Sequence, residues 1–151
     1  NIPLYCVFGE SKFFKNNSYF REYIDDSKLE DRMVWAVCHI EDGHIGNVAL
    51  QKISQINQTA EFAVILGDKR HWGKGIGLLA SKKIFEHGFS KINLERIYCG
   101  TASTNNGMKK LAKDLGMTHE GTLRQHIFLE GSHVDMLEYG ILRSEFTNSM
   151  T

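Results

Sequence analysis

Apolar positions along the chain recur with two periods, and the switches between them fall at glycine, asparagine and aspartate. Phe20, Tyr23 and Ile24 form a stripe at helical spacing, which predicts a helix over Asn17 to Lys28. Met33 to Ile40 (MVWAVCHI) is nearly all apolar, the pattern of a strand covered on both faces. Glu41-Asp42-Gly43-His44 follows, and its Asp-Gly pair signals a hairpin whose return strand is Ile45 to Ile53. Thr59 to Leu66 alternates, with Ala60, Phe62, Val64 and Leu66 on one face and Glu61 on the other. After a glycine-rich turn, Leu78, Ala80, Ile84, Phe85 and Phe89 share one half of a helical wheel; Lys82, Lys83, Glu86 and His87 take the other. Leu94 to Thr101 reads as a further strand. Met108, Leu111, Ala112 and Leu115 mark an amphipathic helix, with Thr104 or Asn105 as its cap and Gly116 as its end. Thr118 to Leu129 and His133 to Leu142 are strands joined by Glu130-Gly131-Ser132.

The order is helix, three antiparallel strands, helix, strand, helix, hairpin. That is an α+β, or mixed α/β, domain built around one sheet. With 151 residues, no repeat and no linker, a single domain over residues 1–151 is expected. Hydrophobic residues at 42% and charged residues at 24% are those of a globular domain. Lys plus Arg and Asp plus Glu are 18 each, so the net charge is zero and neither nucleic acid nor a charged membrane surface is an expected partner. Cys6, Cys38 and Cys99 have no CxxC spacing, which disfavours a disulfide framework and a thiolate zinc site and suits a cytoplasmic protein. The first residues, Asn1-Ile2-Pro3-Leu4-Tyr5, have no basic region or cleavage signal of a secretory leader. The 7 histidines contain no HxxxH or HxH pair, so no metal site is expected.

The densest chemistry lies at Trp72-Gly73-Lys74-Gly75-Ile76-Gly77, between a strand and a helix. Alternating glycines let a ligand approach the backbone, and the opening turn of the helix presents free N–H groups and the positive end of its dipole. A phosphate is the natural guest. The Walker A spacing fails, because Gly67 to Gly73 is one residue too long and Gly75 stands where Ser or Thr is needed. A dinucleotide fingerprint fails too, since Gly77 comes one residue early and the preceding strands form a meander. A pyrophosphate cradle remains, with a turn that binds nothing as the other reading.

WGKGIG, between a strand and a long helix, resembles the acetyl-CoA loop of the GNAT N-acetyltransferases, whose pattern is [QR]xxGx[GA]. Trp72 takes the Gln/Arg position, as in the branch similar to RimJ and RimL, and Gly75 and Gly77 are the motif glycines. A second register, Arg70 to Gly75, also fits; the first puts its last glycine at the helix start. Asn105 ahead of Gly116-Met117 resembles the family's Nxx[AS]…GF segment, with Met108 at the Ala/Ser position and Met117 for Phe. Glu120-Gly121 with Arg124, and the hairpin with Asp135 and Tyr139, resemble the C-terminal strands of that branch. The resemblance runs from Met33 to Phe146. It implies a mixed, mostly antiparallel sheet flanked by helices and splayed between the two parallel strands, here Thr59–Leu66 and Leu94–Thr101, with acetyl-CoA in the splay. It implies contacts to that co-substrate from Leu66, Trp72, Gly73, Lys74, Gly75, Ile76, Gly77, Asn105 and Lys113. Residues 1–16 are too short for the strand and helix with which the family begins, so that pair is expected to be missing. The family's Tyr seven residues after the Asn is Ala112 here.

Acetyl transfer to an amine needs a base, an oxyanion donor and a proton for the leaving thiolate. Glu61 is the first candidate base, with a plain strand position as the other reading, and Glu138 is in reserve. Tyr98 is the candidate acid, with a rim aromatic as the other reading; Cys99 and Ser103 stand behind it. Trp72 is expected under the loop and Trp35 in the core. The expected function is acetyl transfer from acetyl-CoA to a primary amine: an amino-sugar nucleotide, a protein N-terminus or another small amine. A polyamine is disfavoured because the chain shows no acidic cluster. The rival is a non-catalytic acyl-CoA-binding module. A monomer or homodimer is expected.

Overall fold

A computed structural model of the chain describes residues 5–8 and 31–149, with side chains over 31–146. The expected helix over Asn17 to Lys28 lies outside the described residues. β1 (Tyr5–Phe8) pairs antiparallel with β2 (Met33–His39), which corrects the expectation that the family's first strand is missing. β2, β3 (Gly43–Ser54) and β4 (Thr59–Leu66) form an antiparallel meander, followed by β5 (Arg96–Ala102), β6 (Thr118–Leu129) and β7 (Ser132–Leu142). The sheet runs β1-β2-β3-β4-β5-β7-β6, and β4–β5 is its parallel pair.

A parallel neighbour needs a crossover, because the chain must return to the end of the sheet where it started. α1 (Ile76–Ser90) makes that return. Its stripe of Ile76, Ala80, Ile84, Phe85 and Phe89 is buried against the sheet, with the Phe85 ring edge-on to Phe62 of β4 at 4.9 Å. Leu78, expected on this stripe, is only half-buried. Gly88 lets the helix come close: a Cβ there would lie 2.9 Å from Leu50 Cδ1. α2 (Asn106–Asp114) buries Ala112, and Leu115 and Met117 complete its seam. α3 (Arg143–Ser149), with no counterpart in the sequence reading, puts Phe146 against Phe89 at 5.3 Å. Each fully buried aromatic of this kind contributes about 1.5–3 kcal/mol relative to exposure. Trp35 is half-buried at the margin of the core, edge-on to His87 at 5.0 Å, and so is not the enclosed core residue expected.

Candidate functional site

The site begins where a sheet stops being a sheet. β4 and β5 are bridged at Thr59–Arg96, Ala60–Ile97 and Glu61–Tyr98, and no further bridge follows among the described residues. Both strands nevertheless continue, β4 to Leu66 and β5 to Ala102. The outer edge of β5 stays paired with β7 as far as Ala102–Met136. The facing edges beyond Glu61 and Tyr98 therefore carry backbone groups that pair with neither strand. Such groups need a partner, and an extended ligand can supply it.

A cavity of about 510 Å³ opens beside this fork. Val64 and Leu66 of β4, Trp72, Gly73, Gly75, Ile76 and Gly77 of the turn, Asn105 at the cap of α2, and Gly107, Met108 and Leu111 of α2 line it, with His71. Of the residues implied by the resemblance, Leu66, Trp72, Gly73, Gly75, Ile76, Gly77 and Asn105 are thus brought together. Lys74 and Lys113 are exposed and outside the lining. Val64, His71, Gly107, Met108 and Leu111 were not singled out for the site. Met108 and Leu111 belonged to an apolar stripe that looked like core, and half of that stripe faces the cavity.

The glycines divide by cause. Gly73 and Gly75 have φ of +72° and +77°, which side chains other than glycine adopt at a cost. Gly77 is ordinary helix, and a Cβ there would meet nothing within 4 Å. Neither backbone strain nor packing within the protein calls for glycine at that position. Gly75 caps α1 with no side-chain hydrogen bond, and the first helical bond runs from Leu79 N–H to Gly75 O at 3.0 Å. The N–H groups of the opening turn have no acceptor within the helix, an arrangement that suits an anion. Trp72 does not lie under the loop as expected. It is 55% exposed, and its indole N–H donates to Leu66 O at 2.7 Å. That bond closes the end of β4 onto the turn.

At the fork, the Glu61 carboxylate accepts from Gln51 Nε2 at 2.8 Å and Lys52 Nζ at 2.7 Å. The hydrogen bond to Glu61, then its charge, holds the Lys52 ammonium above its ordinary value. Tyr98, half-buried, lies under the Arg96 guanidinium at 5.7 Å. Glu138 stands across from Gly100 on β7 and makes no hydrogen bond or ion pair among the described residues. Cys99 is fully buried, and burial, with Glu138 and Glu61 adding to it, pushes its thiol up to about 12. It is no nucleophile at neutral pH. Ala112 is buried and offers no proton, so no donor comes from the position where the family has Tyr.

A splayed parallel pair, a glycine-rich turn opening a helix and a cavity beside them are the features that the resemblance to the GNAT fold implied. The family model for the acetyltransferase (GNAT) domain matches residues 10–118, and the chain belongs to the GNAT family. An uncharacterized N-acetyltransferase, p20, of Bacillus licheniformis is 33% identical over 105 residues, covering 70% of this chain and 58% of the relative. A spermidine N(1)-acetyltransferase of Vibrio cholerae is 32% identical over 104 residues, covering 69% of this chain and 60% of the relative. The chain thus spans roughly three-fifths of the curated relatives it matches. A solved spermidine N-acetyltransferase from Vibrio cholerae, in complex with CoA and spermine, superposes with a TM-score of 0.78 at 26% identity, covering 89% of this chain and 80% of that one.

Proposed function

We propose that this chain is a single-domain N-acetyltransferase that carries the acetyl group of acetyl-CoA to a small primary amine. The observation behind the proposal is the interruption of β4–β5 pairing after Glu61–Tyr98, with a cavity at the break. The pyrophosphate sits on the free N–H groups where α1 opens, and the pantetheine arm lies along the open edge of β4 between Val64, Leu66, Met108 and Leu111. A backbone N–H of that edge stabilises the thioester oxyanion. Glu61, directly or through a water, takes the proton of the attacking amine, and Tyr98 protonates the leaving thiolate. The amine attacks the thioester directly, so no covalent enzyme intermediate forms, and alignment of the two substrates supplies much of the rate.

Among acceptors, a polyamine is the first to test. The relatives named as spermidine acetyltransferases support it. So does the fold, which collects Glu61, Glu120 and Glu138 around the β4–β5–β7 region although they are scattered in sequence. The objection from sequence was the lack of an acidic cluster; in the fold Glu61 and Glu120 are paired with Lys52 and Arg96, and Glu138 is the carboxylate left to meet an ammonium group. Calorimetric titration with acetyl-CoA, using ATP and NAD as controls, tests the first half. A thiol-release assay over spermidine, amino sugars and N-terminal peptides tests the second. No affinity for acetyl-CoA would overturn the proposal. Buried Ala112, and a Glu61 whose two oxygens are already hydrogen-bonded, favour one alternative, a module that binds acyl-CoA without turnover. It is recognised by binding with no release of thiol on any amine.

A further inference from the structure

A second cluster lies beside the glycine-rich turn; it shares His71 with the cavity lining, but the chemistry proposed above uses none of its side chains. His39 ends β2, Asp42 lies in the β2–β3 turn, and His71 ends the single helical turn Lys69–His71 that leads into Trp72. Folding brings His71 Nε2 within 2.9 Å of Asp42 Oδ2, and His39 Nδ1 within 3.4 Å of the same oxygen. The three donor atoms all lie within 4.8 Å of one another. Asp68 Oδ2 is 3.9 Å from His71 Nε2. In a tetrahedral site with metal–ligand bonds of about 2.0–2.2 Å, neighbouring ligand atoms lie about 3.3 Å apart. The observed separations of 2.9, 3.4 and 3.9 Å fall on either side of that value.

Burial and charge point the same way. The imidazoles are the enclosed part, with side-chain exposures of 3% for His71 and 10% for His39, while Asp42 at 31% faces outward. A cation can enter from the Asp42 side and keep a water there. Asp42 and Asp68 carry two negative charges against the one of Arg70, which binds Asp68 at 2.6 Å and reaches Asp42 at 3.7 Å. With neutral imidazoles the cluster is net negative. The His39 ring accepts at Nδ1 from the N–H groups of Glu41 and Asp42 at 3.3 and 3.2 Å, so the unprotonated nitrogen is the one turned to the cluster. A metal would displace those two long contacts and the His71–Asp42 hydrogen bond. Two imidazoles and carboxylates suit zinc and its neighbours among the divalent transition metals better than magnesium or calcium.

We propose that His39, Asp42 and His71, with Asp68 within reach as a fourth donor, bind one zinc-like divalent cation that fastens the β2–β3 turn to the segment entering the glycine-rich turn. This site stands whether or not the chain transfers acetyl groups. Its consequence for the neighbouring cavity is order: the metal holds the residue immediately before Trp72.

The test uses the whole chain, stripped with chelator and titrated with cobalt(II), followed by competition with zinc in the calorimeter. The expected result is one equivalent bound, with visible bands of a low-coordinate nitrogen and oxygen site and no thiolate charge-transfer band. Zinc should also raise the thermal midpoint, as any ligand of the folded state does. His39→Gln and Asp42→Asn should each weaken binding at least about tenfold. Asp42→Asn retains an acceptor for His71, so its circular dichroism and its midpoint in chelator should stay close to the parent. No uptake, equal affinity in both variants, or a thiolate band placing the metal on cysteine would overturn the proposal.

Discussion

Glu61 and Tyr98 are register partners at the last bridge between β4 and β5, so the two candidate proton carriers flank the point where the strands part. Two side chains opposite one another on adjacent strands share a face, and a ligand threading the gap must pass both. Glu61→Gln should therefore lower kcat for the amine by about 10²–10⁴-fold, the usual contribution of a general base, with the acetyl-CoA affinity unchanged. Tyr98→Phe should act in the same way but more weakly, since water can replace a phenol as donor. The fold should tolerate Glu61→Gln, because the lost ion pair with exposed Lys52 is worth about 1 kcal/mol or less. Steady-state kinetics with binding measured separately distinguishes these outcomes from a general loss of structure.

Gly77→Ala separates a ligand contact from a structural role. The position is helical and open, and alanine is the better helix former. The thermal midpoint should hold or rise. Acetyl-CoA affinity should fall roughly tenfold or more, about 1.4 kcal/mol, because the methyl group stands where the ligand approaches. A variant that binds as tightly as the parent would remove the argument that the glycine serves the ligand.

What the pattern of residues revealed, and what it hid, follows from the range of each interaction. β4 and β6 have the expected bounds, Thr59–Leu66 and Thr118–Leu129, because alternation and the flanking turns are local signals. Asn105, one of the two caps expected beside Thr104, caps α2. Leu94 misled: it is buried and apolar, yet β5 starts at Arg96, because Leu94 N–H bonds to Gly88 O and plugs the end of α1. α3 has seven residues, RSEFTNS, with a single buried aromatic, too short to show a period. The glycine-rich turn was legible as chemistry, whereas the inward turn of Met108 and Leu111 toward a cavity depends on where β4 and β5 part. His39 and His71 lie on different elements, and a search by spacing cannot find such a pair.

Asn105 has both a structural and a site position, and the two can be read apart. Its side chain accepts from Met108 N–H at 3.0 Å, satisfying one of the free donors of α2, and it also lines the cavity. Asn105→Ala should cost about 1 kcal/mol. For a chain of this size that lowers the thermal midpoint by about 2–4 °C. Asn105→Asp keeps an acceptor for Met108 and should restore the midpoint. Any loss of acetyl-CoA affinity that persists in the Asp variant then belongs to the cavity and not to the helix.

Cys99 should be chemically silent in the folded chain. Its thiol is buried beside Met117 and pushed up to about 12 by that burial, so the reactive thiolate is scarce at neutral pH. Alkylation followed by peptide mapping should label Cys99 only at the rate of unfolding. Cys99→Ala should retain kcat, with a modest loss of stability. A kcat that collapsed in that variant would restore the thiol as a participant.

Arg96 and Glu120 tie β5 to β6 across Gly140, whose lack of a side chain makes the room: a Cβ there would lie 2.6 Å from both Arg96 Nη1 and Glu120 Oε2. The same guanidinium lies over Tyr98. Hydrogen bonding from Arg96 holds the Glu120 carboxyl below its ordinary value of 4.5. A group depressed in the folded state binds protons more readily when unfolded. Its stabilisation is complete above 4.5 and is lost as the pH falls through the lower folded value. Glu120→Gln has no carboxylate to titrate. The parent should exceed it in thermal midpoint at neutral pH, and the gap should close on acidification below 4.5. Both side chains are partly exposed, so the pair is worth about 1 kcal/mol or less, and added salt should narrow the gap further. If the guanidinium also holds the Tyr98 ring, the variant should lose activity by more than its stability accounts for, and a pH series of midpoints run beside kcat measures the two effects separately.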